Sequence, residues 1–343
     1  VSTWADLTRQ SLDELREAKP TYLPTNFWGP GVEALLKDME TQGLERFKSW
    51  RTAGIWFNPT YGNSYTNAVI EKLLPIAQAN NANATHNYLG AALNGSFEAR
   101  RDFDVASMAW DQQRWPFDLI NHGESRIGSP WQAYPLSGIP EVTVGRAYVN
   151  YLLCLAALSR HVDAPPRSFL EIGGGFGVLG EIVMSRDEDA RYVDLDIPPL
   201  LTVASYYLTE LFGPDRVATY DDTLSKPGPI TVEKSAVLPN FRIEDLEGEF
   251  EVFVNSFSFQ EMEPDVVDHY VDQVSSKGLR YVVSLNSRQG KPKAAEAGQW
   301  GALDPVKSAD IVEMFGRRGF TQVGEYDQPL VRSGGQVVVL KRD

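Results

Sequence analysis

Residues Phe169 to Val178 read FLEIGGGFGV, an apolar run that ends in an acid and then places glycine at 173, 174, 175 and 177. Glycines so placed let a strand turn sharply into a helix and let a ligand lie against bare backbone. The helix start that follows offers unpaired N–H groups and the positive end of a dipole. A dinucleotide pyrophosphate asks for G-x-G-x-x-G, in which the third glycine lets helix and strand pack closely. Here the order is Gly173-x-Gly175-x-Gly177, and Val178 stands where the dinucleotide pattern has its last glycine. Glu171, just before the turn, is awkward beside a pyrophosphate and suits a cationic amino-acid ligand.

Two further segments end apolar runs with groups that could do chemistry. RYVDLD closes on Asp194-Leu195-Asp196, about twenty residues after the glycines, where a carboxylate can accept both hydroxyls of a ribose. Alternation puts both acids on one side of the strand, so one can serve a ligand while the other caps the helix behind Pro198-Pro199. FEVFVNSF runs on through Asn255, Ser256 and Ser258 to Glu261. Glu261 is a candidate general base or an ordinary acid at a helix N-terminus. His122, in the irregular stretch NHGESRIGSP, is a second candidate base, because loops on a rigid scaffold often carry functional side chains. The sequence contains no H-x-x-x-H or C-x-x-C, and no metal site is expected.

Composition narrows the partners. A net charge of −14 over 343 residues argues against DNA or RNA, whose phosphates need clustered Lys and Arg. Cys154 is the single cysteine and lies in the apolar run YLLCLAAL, so an intrachain disulfide and a thiolate zinc site are both excluded. The opening VSTWADLTRQSLDELRE is polar and amphipathic, and Tyr151–Leu158 is too short to span a bilayer, so a cytoplasmic protein is expected.

The elements that must position these residues fall into two portions, 1–164 and 165–343. The first holds seven of the eight tryptophans and reads as a mostly helical cap, with helices expected over Thr3–Ala18, Gly31–Thr41, Thr66–Asn80 and Val142–His161. The last of these is apolar nearly all round, as suits a helix buried between domains or in a homodimer contact. From Arg167 strands and helices alternate, and continuous apolar strands mean a mostly parallel sheet covered on both faces. The third strand is either RVATYD or part of ITVEKSAVLP, and FTQVGEY with QVVVLKR adds an antiparallel hairpin at one edge.

The pattern E-x-G-x-G-x-G in Glu171–Gly177, with five alternating units and a terminal hairpin, resembles class I S-adenosylmethionine (SAM) methyltransferases. FLEIGGGFGVLGEI, YVDLDIPPLL and VNSFSFQEM together look like the sugar O-methyltransferase family of bacterial natural-product pathways, over about Arg167 to Tyr270. The resemblance implies a Rossmann-like α/β sheet with SAM as cofactor. It implies cofactor contacts at Glu171, Gly173, Gly175, Gly177, Asn255 and Ser256, and its D-L-P stretch favours Asp196 over Asp194. A small-molecule acceptor would be methylated on a sugar or other hydroxyl. Methylation of an electron-rich ring carbon, which needs no base, is the alternative, and a SAM-binding protein without catalysis is a third.

Overall fold

The structure is a computed structural model that describes residues 3–62, 72, 75, 76, 79, 93–220, 225–327 and 334–342. Its centre is a sheet of eight strands: β1 Ser168–Ile172, β2 Arg191–Asp196, β3 Val217–Ala218, β4 Ser235–Pro239, β5 Val252–Ser256, β6 Tyr281–Ser287, β7 Phe320–Asp327 and β8 Gly335–Arg342. Their spatial order is β3-β4-β2-β1-β5-β6-β8-β7. Strands β1 to β6 run parallel, and β8 pairs antiparallel with both β6 and β7. This is the mostly parallel α/β sheet with an antiparallel C-terminal hairpin expected of a class I methyltransferase fold. Strand order reverses between β1 and β5, so a crevice opens at their carboxyl ends.

The open choice of third strand is settled by burial. Ser235–Pro239 is buried throughout and lies beside β2, as a central strand must. Val217–Ala218 is a two-residue edge strand, and Ile230–Thr231 pairs with Leu246–Glu247 in a separate small ladder.

Helices α1 Trp4–Glu17, α2 Gly29–Gln42, α3 Ala53–Trp56, α4 Ser96–Ala109 and α5 Arg146–Ser159 make the first portion helical, as expected. The expected helix over Thr66–Asn80 lies, apart from isolated positions, outside the described residues. Every residue of α5 from Ala147 to Ser159 is buried. It packs on α4, on β6 and β8, and on α6 Val178–Arg186. Its all-round apolarity is therefore satisfied within one chain, which uses α5 as a layer of the sheet domain.

Helix α7 Leu200–Phe212 follows β2, α8 Pro264–Ser275 follows β5, and α9 Ser308–Gly316 precedes the hairpin. An inner network ties the two portions together behind the glycine turn. The fully buried Lys48 ammonium donates to Glu124 Oε1 at 2.6 Å, to the Ser125 carbonyl at 2.7 Å and to Tyr207 Oη at 3.0 Å. Glu181 of α6 accepts from the Ser125 N–H and from Tyr207 Oη, each at 2.7 Å.

Candidate functional site

A cavity opens at the carboxyl ends of β1, β2 and β5. Its sheet-side wall includes the turn Gly173–Phe176, Asp196 and Ile197, and the segment Ser256–Ser258. Its other wall includes Thr25, Trp28, Trp56 and Phe57 from the first portion, and both Asn150 and Tyr151 reach it from α5. Gly173, Gly175 and Gly177 all have positive φ, at 75°, 67° and 84°. A Cβ on Gly173 would meet Ser258 Cβ at 2.5 Å, whereas one on Gly175 would find Phe57 Cβ, its nearest neighbour, at 3.6 Å. Gly175 thus leaves room on the cavity side of the turn. Gly177 sits off the wall and serves as the N-cap of α6, against Leu208.

Three carboxylates crowd behind this turn. Glu171 and Asp194 are direct cross-strand partners in the parallel pairing of β1 with β2, and both are fully buried. Glu171 does not reach the cavity. Its two oxygens accept from Tyr151 Oη at 2.6 Å and Tyr192 Oη at 2.7 Å, so Tyr151 stands between the acid and the wall. Asp194 Oδ1 accepts the Gly174 N–H at 3.1 Å, and Asp194 Oδ2 has no hydrogen-bond partner among the described residues. Asp196 is the acid on the wall itself, accepting from the Gly175 N–H at 2.9 Å and the Ile197 N–H at 2.7 Å. Burial pushes all three acids above the ordinary carboxylate range, and the negative charge of Asp196 pushes Glu171 and Asp194 further. A cationic or hydrogen-bond-donating ligand would offset that cost. No metal-holding group of side chains occurs among the described residues.

Two amide oxygens on the wall also lack partners among the described residues: Asn150 Oδ1, on a residue 3 % exposed, and Asn240 Oδ1, on a residue 4 % exposed. Buried acceptors of this kind carry a desolvation cost that a donor on a ligand removes. Asn240 Nδ2, by contrast, is used on the Tyr22 carbonyl and Tyr270 Oη.

At the end of β5 the expected pair divides. Ser256 lines the cavity, but Asn255 turns into the protein. Its amide donates to the Ile172 carbonyl and Ser258 Oγ and accepts from the Phe259 N–H, so it braces the β1 and β5 ends and does not line the cavity. Phe257, with φ of 65°, is a non-glycine residue in the left-handed region, on the wall. Such strain persists where the surroundings hold it, and it clusters at functional sites.

Glu261 lines the cap side of the cavity. Its Oε2 accepts from Trp28 Nε1 at 2.8 Å, and its Oε1 lies 2.7 Å from Lys291 Nζ. Burial pushes the Glu261 carboxyl up while the Lys291 ammonium and the Trp28 N–H pull it back. His122 is placed elsewhere. Its Nδ1 lies 2.9 Å from the Asp118 carbonyl and its ring packs on Phe117, outside the cavity wall. The irregular loop that suggested a free histidine has its own local hydrogen bonds.

Asn150, Asn240 and Lys291 are the site residues that sequence reasoning passed over. Asn150 left a signal, as the one amide in the apolar run YVNYLLCLAAL. Lys291 left a weaker one, in the loop that follows β6.

No protein-family model matches the chain, and no curated protein matches it in sequence. Among solved structures it resembles the magnesium protoporphyrin IX methyltransferase ChlM from Synechocystis PCC 6803 with bound SAM. That match has a TM-score of 0.40 and 13 % identity, over 57 % of this chain and 79 % of that one. The pyocyanin biosynthetic protein PhzM matches with a TM-score of 0.38 and 18 % identity, over 57 % of this chain and 58 % of that one. The mitomycin 7-O-methyltransferase MmcR matches with a TM-score of 0.39 and 14 % identity, over 100 % of this chain and 74 % of that one. At such scores the fold rests on strand order and pairing, which stand on their own.

Proposed function

We propose that this protein is a SAM-dependent methyltransferase acting on a hydroxyl of a small molecule, with residues 165–343 holding the donor and residues 1–164 closing over the acceptor. The observation that carries this reading is the meeting of buried acceptors at the glycine turn. Asp196 is on the wall, and among the described residues Asp194 Oδ2 just behind it and Asn150 Oδ1 and Asn240 Oδ1 on the wall have no hydrogen-bond partner. A donor with ammonium, amino and ribose hydroxyl groups meets that demand, whereas a pyrophosphate would bring more negative charge to three crowded acids.

Asp196 and the backbone at Gly173–Gly175 would hold the nucleoside end, with Asn240 and Asn150 meeting its N–H groups and Ser256 beside them. Bound there, SAM supplies an electrophilic methyl group. The chain's own contribution is alignment and exclusion of water between cap and sheet. Glu261, on the wall and backed by Lys291, is the group that would take the acceptor's proton. The family resemblance covers a sugar or another hydroxyl as acceptor. The test is incubation with methyl-labelled SAM and a panel of sugars, phenols and hydroxyl-free aromatics. A mass gain of one labelled methyl on a hydroxyl compound is expected, and no transfer to any member would count against the reading.

A further inference from the structure

We propose that the cap side of this cavity is built for a planar aromatic hydroxyl, and that the Lys291–Glu261 pair reads that hydroxyl; the proposal rests on the methyltransferase reading above. The cap-side wall is formed largely by Trp28, Trp56, Phe57, Pro24, Pro59 and Met262. Flat apolar surfaces of this kind cover an aromatic ring well and offer hydroxyl groups little. The apolar surface continues outward. Ile55, on the wall, is 66 % exposed, and the exposed Trp300 packs on Phe27 and Trp56 at ring-centroid distances of 4.8 and 5.7 Å.

Against this background one polar feature stands out. Lys291 is the one cation among the described wall residues, and it is held between Glu261 Oε1 at 2.7 Å and the Phe27 ring at 4.3 Å. An ammonium has three donors, so among the described residues two remain after the bond to Glu261. Each Glu261 oxygen accepts one bond, from Trp28 or Lys291, and keeps further acceptor capacity. A hydroxyl both donates and accepts, and the pair offers both functions at one place. A hexose brings several hydroxyls, each of which needs a partner once buried. On this side of the wall Thr25 has already given its hydroxyl to the Glu261 carbonyl at 2.7 Å.

The pair also suits the acidity of a phenol, which titrates near 10 as in tyrosine and far below an alcohol. Glu261 takes the O–H proton, the O–H electron pair stays on the oxygen, and the Lys291 ammonium faces the resulting charge. Lys291 is thus a specificity residue for the acceptor.

The test uses the full chain saturated with S-adenosylhomocysteine (SAH), with 4-nitrophenol, its hydroxyl-free analogue 4-nitrotoluene and methyl α-glucopyranoside as probes. The nitrophenol is expected to bind about 10–100-fold more tightly than the nitrotoluene, and its bound form to ionise at lower pH, read from the phenolate absorbance. Lys291→Met should abolish both differences, and Lys291→Arg should keep the lowered ionisation pH. Equal binding of the two aromatics, tighter binding of the glucoside, or a Lys291→Met protein that still lowers the ionisation pH would overturn the proposal. SAH binding, titrated alone, reports separately on the methyltransferase reading. If it is absent, the same comparison on the unliganded chain still decides the role of Lys291.

Discussion

Asp196 Oδ2 accepts the backbone N–H of Gly175 at 2.9 Å, which ties the last residue of β2 to the apex of the glycine turn that follows β1. Any ligand held by one is therefore positioned relative to the other. Replacing Asp196 by Ala removes the proposed ligand contact and the brace on the turn. SAH affinity should fall by about 1.5–3 kcal/mol, as for a hydrogen bond to a charged group, in a calorimetric titration. Asp194→Ala, one layer behind the wall, should cost less affinity. The reverse ranking would move the ribose contact to Asp194.

Gly175→Val tests the turn itself. The φ of 67° penalises any side chain, by about 1–2 kcal/mol for a left-handed residue, and more with a β-branch. Because a Cβ there meets Phe57 only at 3.6 Å, the fold should survive with a lowered melting temperature while SAH binding is lost. Unchanged SAH affinity in a folded variant would contradict the site.

The buried acids give the free protein a pH signature. Burial pushes Glu171 up to about 8 and Asp196 up to about 7, above their unfolded values. Between about pH 4 and pH 8 the native state therefore binds more protons than the unfolded chain, and these groups make stability fall as pH rises through that window. A ligand that favours the ionised acids reverses this, so binding near pH 7 should release protons. Calorimetry in two buffers of different ionisation enthalpy measures that release, and proton uptake would contradict it.

How much of this was legible in the chain varies with distance along it. Strands β1, β5 and β6 are mainly apolar runs and β2 sets apolar residues beside two acids, and all four fold where local pattern puts them. The third strand could not be chosen from pattern, because RVATYD and ITVEKSAVLP both carry short apolar runs and only the pairing of SAVLP beside β2 separates them. Spacing to the glycines left Asp194 and Asp196 open, and the D-L-P resemblance favoured Asp196, the one that lies on the wall. The enclosure of Glu171 was not, since Tyr151 and Tyr192 come from other elements to surround it. The Lys291–Glu261 and Lys48–Glu124 pairs likewise join distant residues, and the sequence carries no sign of either pairing.

Lys48 predicts a stability effect without chemistry. Its ammonium is the buried counter-charge for Glu124, and its positive charge pulls down the Glu181 carboxyl that burial pushes up to about 7. Lys48→Met should cost about 3–5 kcal/mol, as for breaking a buried pair from one side, measured by denaturant unfolding. A loss below about 1 kcal/mol, the range of an exposed pair, would show that the network is not closed to water.

Glu261→Gln keeps the shape of the side chain and removes the base. Turnover of a hydroxyl acceptor should drop about 10²–10⁴-fold with SAH affinity little changed. His122→Ala, outside the cavity, should leave turnover near normal. Near-normal turnover in Glu261→Gln would favour methylation of a ring carbon, which needs no base.

Calorimetric titration of the full chain with SAM, SAH and NAD decides whether this cavity takes a sulfonium nucleoside or a nicotinamide dinucleotide. Saturable binding of SAM and SAH at one site per chain, with no heat from NAD, is the result predicted. Binding of NAD, or no binding of SAM and SAH by folded protein, would contradict it.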